Sequence, residues 1–358
     1  MQRAGGLLNA YCLKEFIGPF IGCIGGFTII LVSGLLFELT DLILIRRVPA
    51  EAVLRMLLCK LPGIVVLALP VGVLFGTLLA LGRLGKDGEL TVIRALGLSF
   101  PRIAAPFLFA GLLVSLVVFW ANESIVPRSN HAYENLVRRY ILQEVTPLIK
   151  EQVFFKGADN CFYYIDQVDS NLLQGIFIYD PGREGPARLI TARRGSVQEG
   201  HWRLEDGVLR ELDDEGFVTM EMGFASFNLS VPERLDAYLI QQKTTDEMNR
   251  RELGEHIQLF AASGVNLTPI LVDYHLKLAL PLASLIFALL AAPLGTWSSG
   301  RFFGITASLI IAFAYYVLTA LCRSLGINGA VWPLAAAWAP NCILTALGAY
   351  LLWRVDRI

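Results

Sequence analysis

Hydrophobic and polar positions along this chain fall into long blocks. Apolar runs at about 16–40, 61–82 and 103–122 precede a polar stretch, and three more follow it at 276–296, 303–322 and 331–353. Each run is close to the ~20 residues that a helix rising ~1.5 Å per residue needs to cross a ~30 Å hydrocarbon core. The pattern therefore predicts six membrane-spanning helices, three on either side of an insert. Arg3 and Lys14 precede the first run, which is too long for a signal-peptide core and is followed by no small-residue cleavage site, so it is expected to stay as an anchor. Pro62, Pro70, Pro281 and Pro293 are expected to bend spans two and four. Trp332, Trp338 and Tyr350 are expected to anchor the last span at the interfaces.

Inside the insert the period changes. Asn122 to Gln143 reads as a polar, helix-prone connector containing Pro127. From about Phe154, short strand patterns follow at 161–166, 174–180, 187–197, 202–212 and 217–231, broken by turn sequences such as Asp180-Pro181-Gly182 and Asp206-Gly207. Five or more strands without an intervening helix predict an antiparallel sandwich or jelly roll. Some of these strands are apolar on both faces, with Phe162 and Tyr164 on one side and Tyr163 and Ile165 on the other. Either the strand is covered on both sides, or an open groove holds acyl chains, with Phe162, Tyr164, Ile176 and Ile178 as its candidates. Before Gly264, the apolar positions Leu253, Ile257, Leu259 and Phe260 recur at helical spacing and are expected to return the chain to the membrane surface. The resulting division is 1–122 for spans one to three, 123–268 for the β domain with helical connectors, and 269–358 for spans four to six.

Composition agrees with a membrane protein: 55% of the 358 residues are hydrophobic and 17% charged, with a mean hydropathy of +0.56. With the N-terminus cytoplasmic, Arg3, Lys14, Arg83, Lys86, Arg94, Arg102, Arg301, Arg354 and Arg357 lie inside, against Arg46, Arg47, Arg55, Lys60 and Arg323 in the short outer loops. That bias favours cytoplasmic termini and an exported β domain. Of six cysteines only Cys161 lies in the insert, so no internal disulfide staples it. No CxxC or metal-ligand spacing occurs, and His131, His201, His256 and His275 share no motif; neither metal nor cofactor is expected. No cluster suited to catalysis is visible, so the chain is not expected to be an enzyme. Gly85-Lys86 lacks the upstream glycine of a phosphate-binding loop and is followed by Asp87, so ATP hydrolysis would have to come from a separate subunit. The centres of the spans are almost free of charge, which disfavours an ion-coupled secondary transporter.

The turn between spans two and three runs from Gly82 to Arg102. Within it, about 86–98 contains a short amphipathic helix with Glu89 and Arg94 among Leu90, Val92, Ile93 and Leu96, stopping at Gly97 before Pro101. Such a helix either receives force from a cytoplasmic motor or simply rests on the membrane face. In the first span, Gly18, Gly22 and Gly26 recur every four residues and line one face, for packing within the chain or for a seam with another subunit.

The stretch ALPVGVLFGTLLALGRLGKDGELTVIRALGLS resembles the LptF/LptG permease family of the lipopolysaccharide-export ABC transporter, with Pro70, Glu89, Gly97, Leu98 and Ser99 at the matching positions. The likeness continues through Asn122, Glu123 and Pro127, the sequence at 276–295 and AAWAPN at 336–341. It implies an α-helical membrane protein of six transmembrane helices in a 3+3 arrangement around an inserted periplasmic antiparallel β-jellyroll, located in the bacterial inner membrane. It further implies pairing with a second LptF/LptG-type permease, docking of an LptB-type ATPase dimer beneath, and transfer of lipopolysaccharide to LptC- and LptA-type bridge proteins; no nucleic-acid partner is expected. Glu89, Leu90, Val92, Ile93, Arg94 and Gly97 would form the coupling helix, with Glu89 facing a basic residue of the ATPase. Arg46, Arg47, Lys60, Arg128, Arg138, Arg139, Lys277 and Arg323 are candidates for the phosphates of the lipid headgroup, unless they are solvated or pair with Glu38, Asp41, Glu123 and Glu134. One type of family member has basic residues late in span one, where this chain has Phe37, Glu38 and Asp41. A secondary transporter, or an ABC mechanotransmission subunit for another lipid or a lipoprotein, is the alternative.

Overall fold

The structure, a computed structural model, describes all residues except 1, 41–47, 142–152, 157–160, 170–171, 182–185, 199–200, 214–216, 231–242, 261–266, 298–300 and 358. The chain forms two compact units, one of residues 1–41, 57–129 and 266–358 and the other of 42–56 and 130–265.

The first unit is helical. Helices α1 (Gln2–Glu38), α2 (Ala50–Lys86), the short α3 (Glu89–Ala95) and α4 (Phe100–Ser124) precede α5 (Val126–Ile141); α7 (Thr268–Ala279), α8 (Ala283–Thr296), α9 (Arg301–Ile327) and α10 (Pro333–Arg357) follow the insert. Five of these helices are long and apolar enough to cross a membrane, and α7 with α8, bent by 53° at their junction, makes a sixth span. The break contains Pro281, whose ring and missing N–H interrupt the helix. The chain repairs the interruption from another helix: Asn341 on α10 donates to the Ala279 carbonyl at 2.7 Å, and its Oδ1 accepts the Tyr315 hydroxyl at 3.0 Å. Pro293 lies within α8, and α2 runs on through Pro62 and Pro70. The core between spans is built from Leu74, Leu78, Phe287 and Tyr315, and at the α3 end from Leu84, Leu90, Phe100 and Ile103. Gly72 and Gly76 admit α1 closely: a Cβ there would stand 2.8 Å from Ile24 and 2.7 Å from Phe16.

The second unit carries the predicted antiparallel sheet. Strands β1 (Val153–Lys156), β2 (Phe162–Asp169), β3 (Leu172–Asp180), β4 (Ala187–Gln198), β5 (His201–Leu212) and β6 (Val218–Ser230) lie in sequence order as one meander. Its core side chains change parity along the strands: Leu173 then Ile176 in β3, Leu204 then Leu209 in β5, with Phe224 and Phe227 of β6 packed against them. A regular strand would send residues an odd number apart to opposite faces. The switch falls at Gly175 (φ 63) and Asp206 (φ 53), where the backbone is left-handed.

The consequence is a sheet folded on itself. Tyr163 stands in register with Ile178, Ile190 and Leu209, so in a flat sheet Trp202 would sit ~23 Å away along β5 at ~3.3 Å per residue. The Tyr163 and Trp202 rings are 5.6 Å apart. The two layers expected from the sequence are thus the two halves of one sheet, closed over Ile165, Ile176, Trp202 and Leu204. Helix α6 (Arg250–Phe260) packs on the other face, where the His256 ring meets Phe162 edge-on at 6.4 Å. It starts as a reciprocal cap: the Glu252 N–H donates to Asn249 Oδ1 at 2.8 Å and the Asn249 N–H to Glu252 Oε2 at 3.0 Å.

Candidate functional site

The corner between α2 and α4 is the most elaborated polar feature of the helical unit. Gly88 (φ 73) and Gly97 (φ 84) bracket α3, a conformation open to glycine and costly for other residues. Leu90 is buried against Leu84, Phe100 and Val355, and Ile93 packs beside it. Val92 is 60% and Leu96 77% exposed. The expected partner-facing set is therefore divided: Leu90 and Ile93 anchor the helix, because at this spacing they fall on its inner side, while Val92 and Leu96 point outward.

Polar contacts tie α3 to both ends of the chain. The Tyr11 hydroxyl of α1 reaches both carboxylate oxygens of Glu89, at 2.8 and 3.0 Å. One step back on α2, Arg83 pairs with Glu15 of α1 and, at 3.4 Å, with Asp87. Arg94 donates to the Val355 carbonyl of α10 at 3.1 Å, and the Phe100 N–H donates to Asp356 Oδ1 at 3.0 Å, capping α4 where Ser99 does not. Sequence reasoning singled out Glu89 and Arg94 but missed Tyr11, Glu15 and Asp356, which lie far from them in sequence. Their only signal was a set of polar groups at the ends of apolar helices.

Of the eight basic candidates, the structure describes the side chains of four. Arg46 and Arg47 lie outside the described residues, as do the side chains of Arg138 and Arg139. Lys60 on α2 and Lys277 on α7 are half-buried, and Arg128 on α5 is exposed. Arg323 of α9 makes a two-pronged pair with Asp273 of α7, at 2.8 and 3.1 Å. Its partner is thus none of the four carboxylates expected from the sequence, and the pair ties α9 to α7. Lys277 is one helical turn from Asp273 and on the same face.

Gly18, Gly22 and Gly26 pack against no other helix among the described residues: an added Cβ would meet nothing within 4 Å. The opposite side of α1, with Phe16, Phe20 and Ile24, makes the close approach to α2 instead. The acyl-groove candidates divide in the same way. Ile176 and Ile178 pair with Ile165 and Tyr163 inside the folded sheet, whereas Phe162 and Tyr164 pair with Tyr179 and Phe177 on the other face, since cross-strand partners share a side. The four therefore lie on two faces of the sheet. A small cleft of about 120 Å³ opens at the break in span four, lined by Leu67, Pro70, Asn122, Leu280, Tyr315 and Tyr316. No cluster of three or more metal-ligating side chains occurs among the described residues.

Membrane-length helices before and after an inserted antiparallel β domain define a polytopic membrane protein. Residues 10–354 match the family described as lipopolysaccharide export system permease LptF/LptG, and the chain belongs to that family. It is similar to the lipopolysaccharide export system permease protein LptF of Escherichia coli (strain K12), 23% identical over 334 residues that cover 86% of this chain and 84% of that protein. To LptG of the same organism it is 23% identical over 312 residues, covering 83% and 84%. An uncharacterized protein of Rickettsia prowazekii (strain Madrid E) is 22% identical over 201 residues, and the match spans about half of that relative, 54%.

Proposed function

We propose that this chain is one of two permease subunits of an inner-membrane exporter that extracts lipopolysaccharide and hands it toward the outer membrane, driven by ATP hydrolysis in a separate subunit. The observation that carries this reading is the family match over residues 10–354, which takes in both helical blocks and the β domain together. In this reading the termini and α3 face the cytoplasm, and the folded sheet faces the periplasm and the bridge proteins. Val92 and Leu96, the apolar side chains that α3 leaves exposed, enter a groove of the ATPase, and Glu89 meets a basic residue there. The open glycine face of α1 forms part of the seam with the second permease. Basic side chains, Lys60, Arg128, Lys277 and Arg323 among them, attract the phosphates of the lipid headgroup.

The test is purification of the chain in detergent with its genomic neighbours, followed by mass spectrometry of proteins and bound lipid. An ATPase, a second permease and lipopolysaccharide are expected together. Recovery of the chain without ATPase and without glycolipid would remove the exporter reading.

A further inference from the structure

We infer that Tyr11 is a positioning residue for Glu89 and that the pair forms a linkage through which movement of α3 is delivered to α1. This inference rests on the exporter reading for what moves α3, but the linkage itself is argued from the geometry.

Helix α1 is thinly held. Ile21, Ile29, Ile30 and Phe37 are between 61% and 82% exposed, whereas Cys12 and Phe16, near its α3 end, and Leu35, near its other end, are buried. Among the described residues, its side-chain hydrogen bonds to other elements go to a single place. Tyr11 bonds Glu89 and Glu15 pairs with Arg83. Tyr11 and Glu15 are one turn apart and share a face, so α1 grips the α2–α3 turn on both of its sides. The hydroxyphenyl arm of Tyr11 is stiff, with two rotatable bonds, and transmits displacement better than a long flexible side chain would.

Glu89 is suited to join two bodies. A carboxylate has about four acceptor positions, and one hydroxyl spanning both oxygens leaves the remainder for a cation of a docked partner. Charge on the acceptor strengthens the bond to Tyr11. The glycines bracketing α3 at positive φ set it off from α2 and α4 as a short separate helix, whose carboxylate at Glu89 is the point held by α1. On its other side α1 carries the face of Gly18, Gly22 and Gly26, which makes no packing contact among the described residues that would resist the motion.

The experiment uses the complete complex in lipid nanodiscs, with Tyr11→Phe, Glu89→Ala and the double variant. Two quantities are read: lipopolysaccharide released per ATP hydrolysed, and hydrogen exchange of the amides at 7–16. Tyr11→Phe removes only the hydroxyl, and the expected result is a loss of release per ATP of about tenfold or more, the effect of one hydrogen bond to a charged group. Exchange at 7–16 should rise in both single variants and no further in the double, because both remove the same contact. Unchanged release per ATP in Tyr11→Phe, or additive exchange effects, would overturn the inference. Faster exchange with unchanged release would reduce Tyr11 to a structural tie and overturns it equally. If the unsubstituted complex releases no glycolipid, the exporter reading is what fails, and a non-additive exchange cycle still establishes the linkage.

Discussion

A single amide on α10 keeps the fourth span intact at its weakest point. Asn341 takes the Ala279 carbonyl and the Tyr315 hydroxyl at once, and both would lose this partner in an apolar surrounding without it. Asn341→Ala should therefore cost about 1–3 kcal/mol, read as a lower thermal midpoint in detergent; an unchanged midpoint would mean the break is held by packing alone. Glycines give a second test at this scale. Gly76→Leu should destabilise the isolated chain, since its Cβ would meet the Phe16 ring at 2.7 Å, while Gly22→Leu should leave that stability unchanged and weaken cross-linking to a second permease. From the sequence, Gly18, Gly22 and Gly26 stand out by spacing, and so in retrospect do Gly72 and Gly76. Spacing shows that a face is small but not which neighbour fills it, and here the chain fills the face at 72–76 and leaves the other open.

Elements were legible where local chemistry decides them. Apolar runs gave the spans, Pro281 the break in the fourth, and Gly97 the end of α3. Alternation and turn residues gave the strands. The folding of the sheet on itself was hidden, because it depends on a left-handed backbone at Gly175 and Asp206, and one such residue shifts every later side chain to the opposite face. At the corner, Glu89 was legible but Tyr11 was not, since their contact joins residues 78 apart. The helix over the outer face of β2 carries a pH prediction. Burial holds the His256 imidazole below its ordinary value, with Lys243 adding to the effect and Glu252 and Glu255 opposing it. The folded form then binds fewer protons than the unfolded chain, so the stabilisation is present at neutral pH and is lost as pH falls from about 6.5 through the folded value. Urea midpoints across that range should fall in the natural chain. His256→Phe, which keeps a ring against Phe162, should flatten the fall, and an unchanged slope would place its origin elsewhere.

For the whole molecule, two blocks of membrane-length helices and an inserted β unit were readable from hydropathy alone, because a hydrocarbon core imposes length and composition so strictly. Membership in the LptF/LptG family was carried by the same stretches, and the match over residues 10–354 bears it out. The headgroup candidates were less legible, as Arg323 shows. Its charge was visible, but its carboxylate partner Asp273 lies 50 residues earlier, on another helix. The central claim, that lipopolysaccharide leaves the membrane through this permease under ATP hydrolysis, is met most directly in proteoliposomes. These would hold the assembled complex and labelled lipopolysaccharide, with a soluble bridge protein outside as acceptor. The account predicts transfer of label to the acceptor on addition of ATP, and little transfer with Glu89→Ala although ATP is still consumed. ATP hydrolysis without transfer in the unsubstituted complex would contradict it.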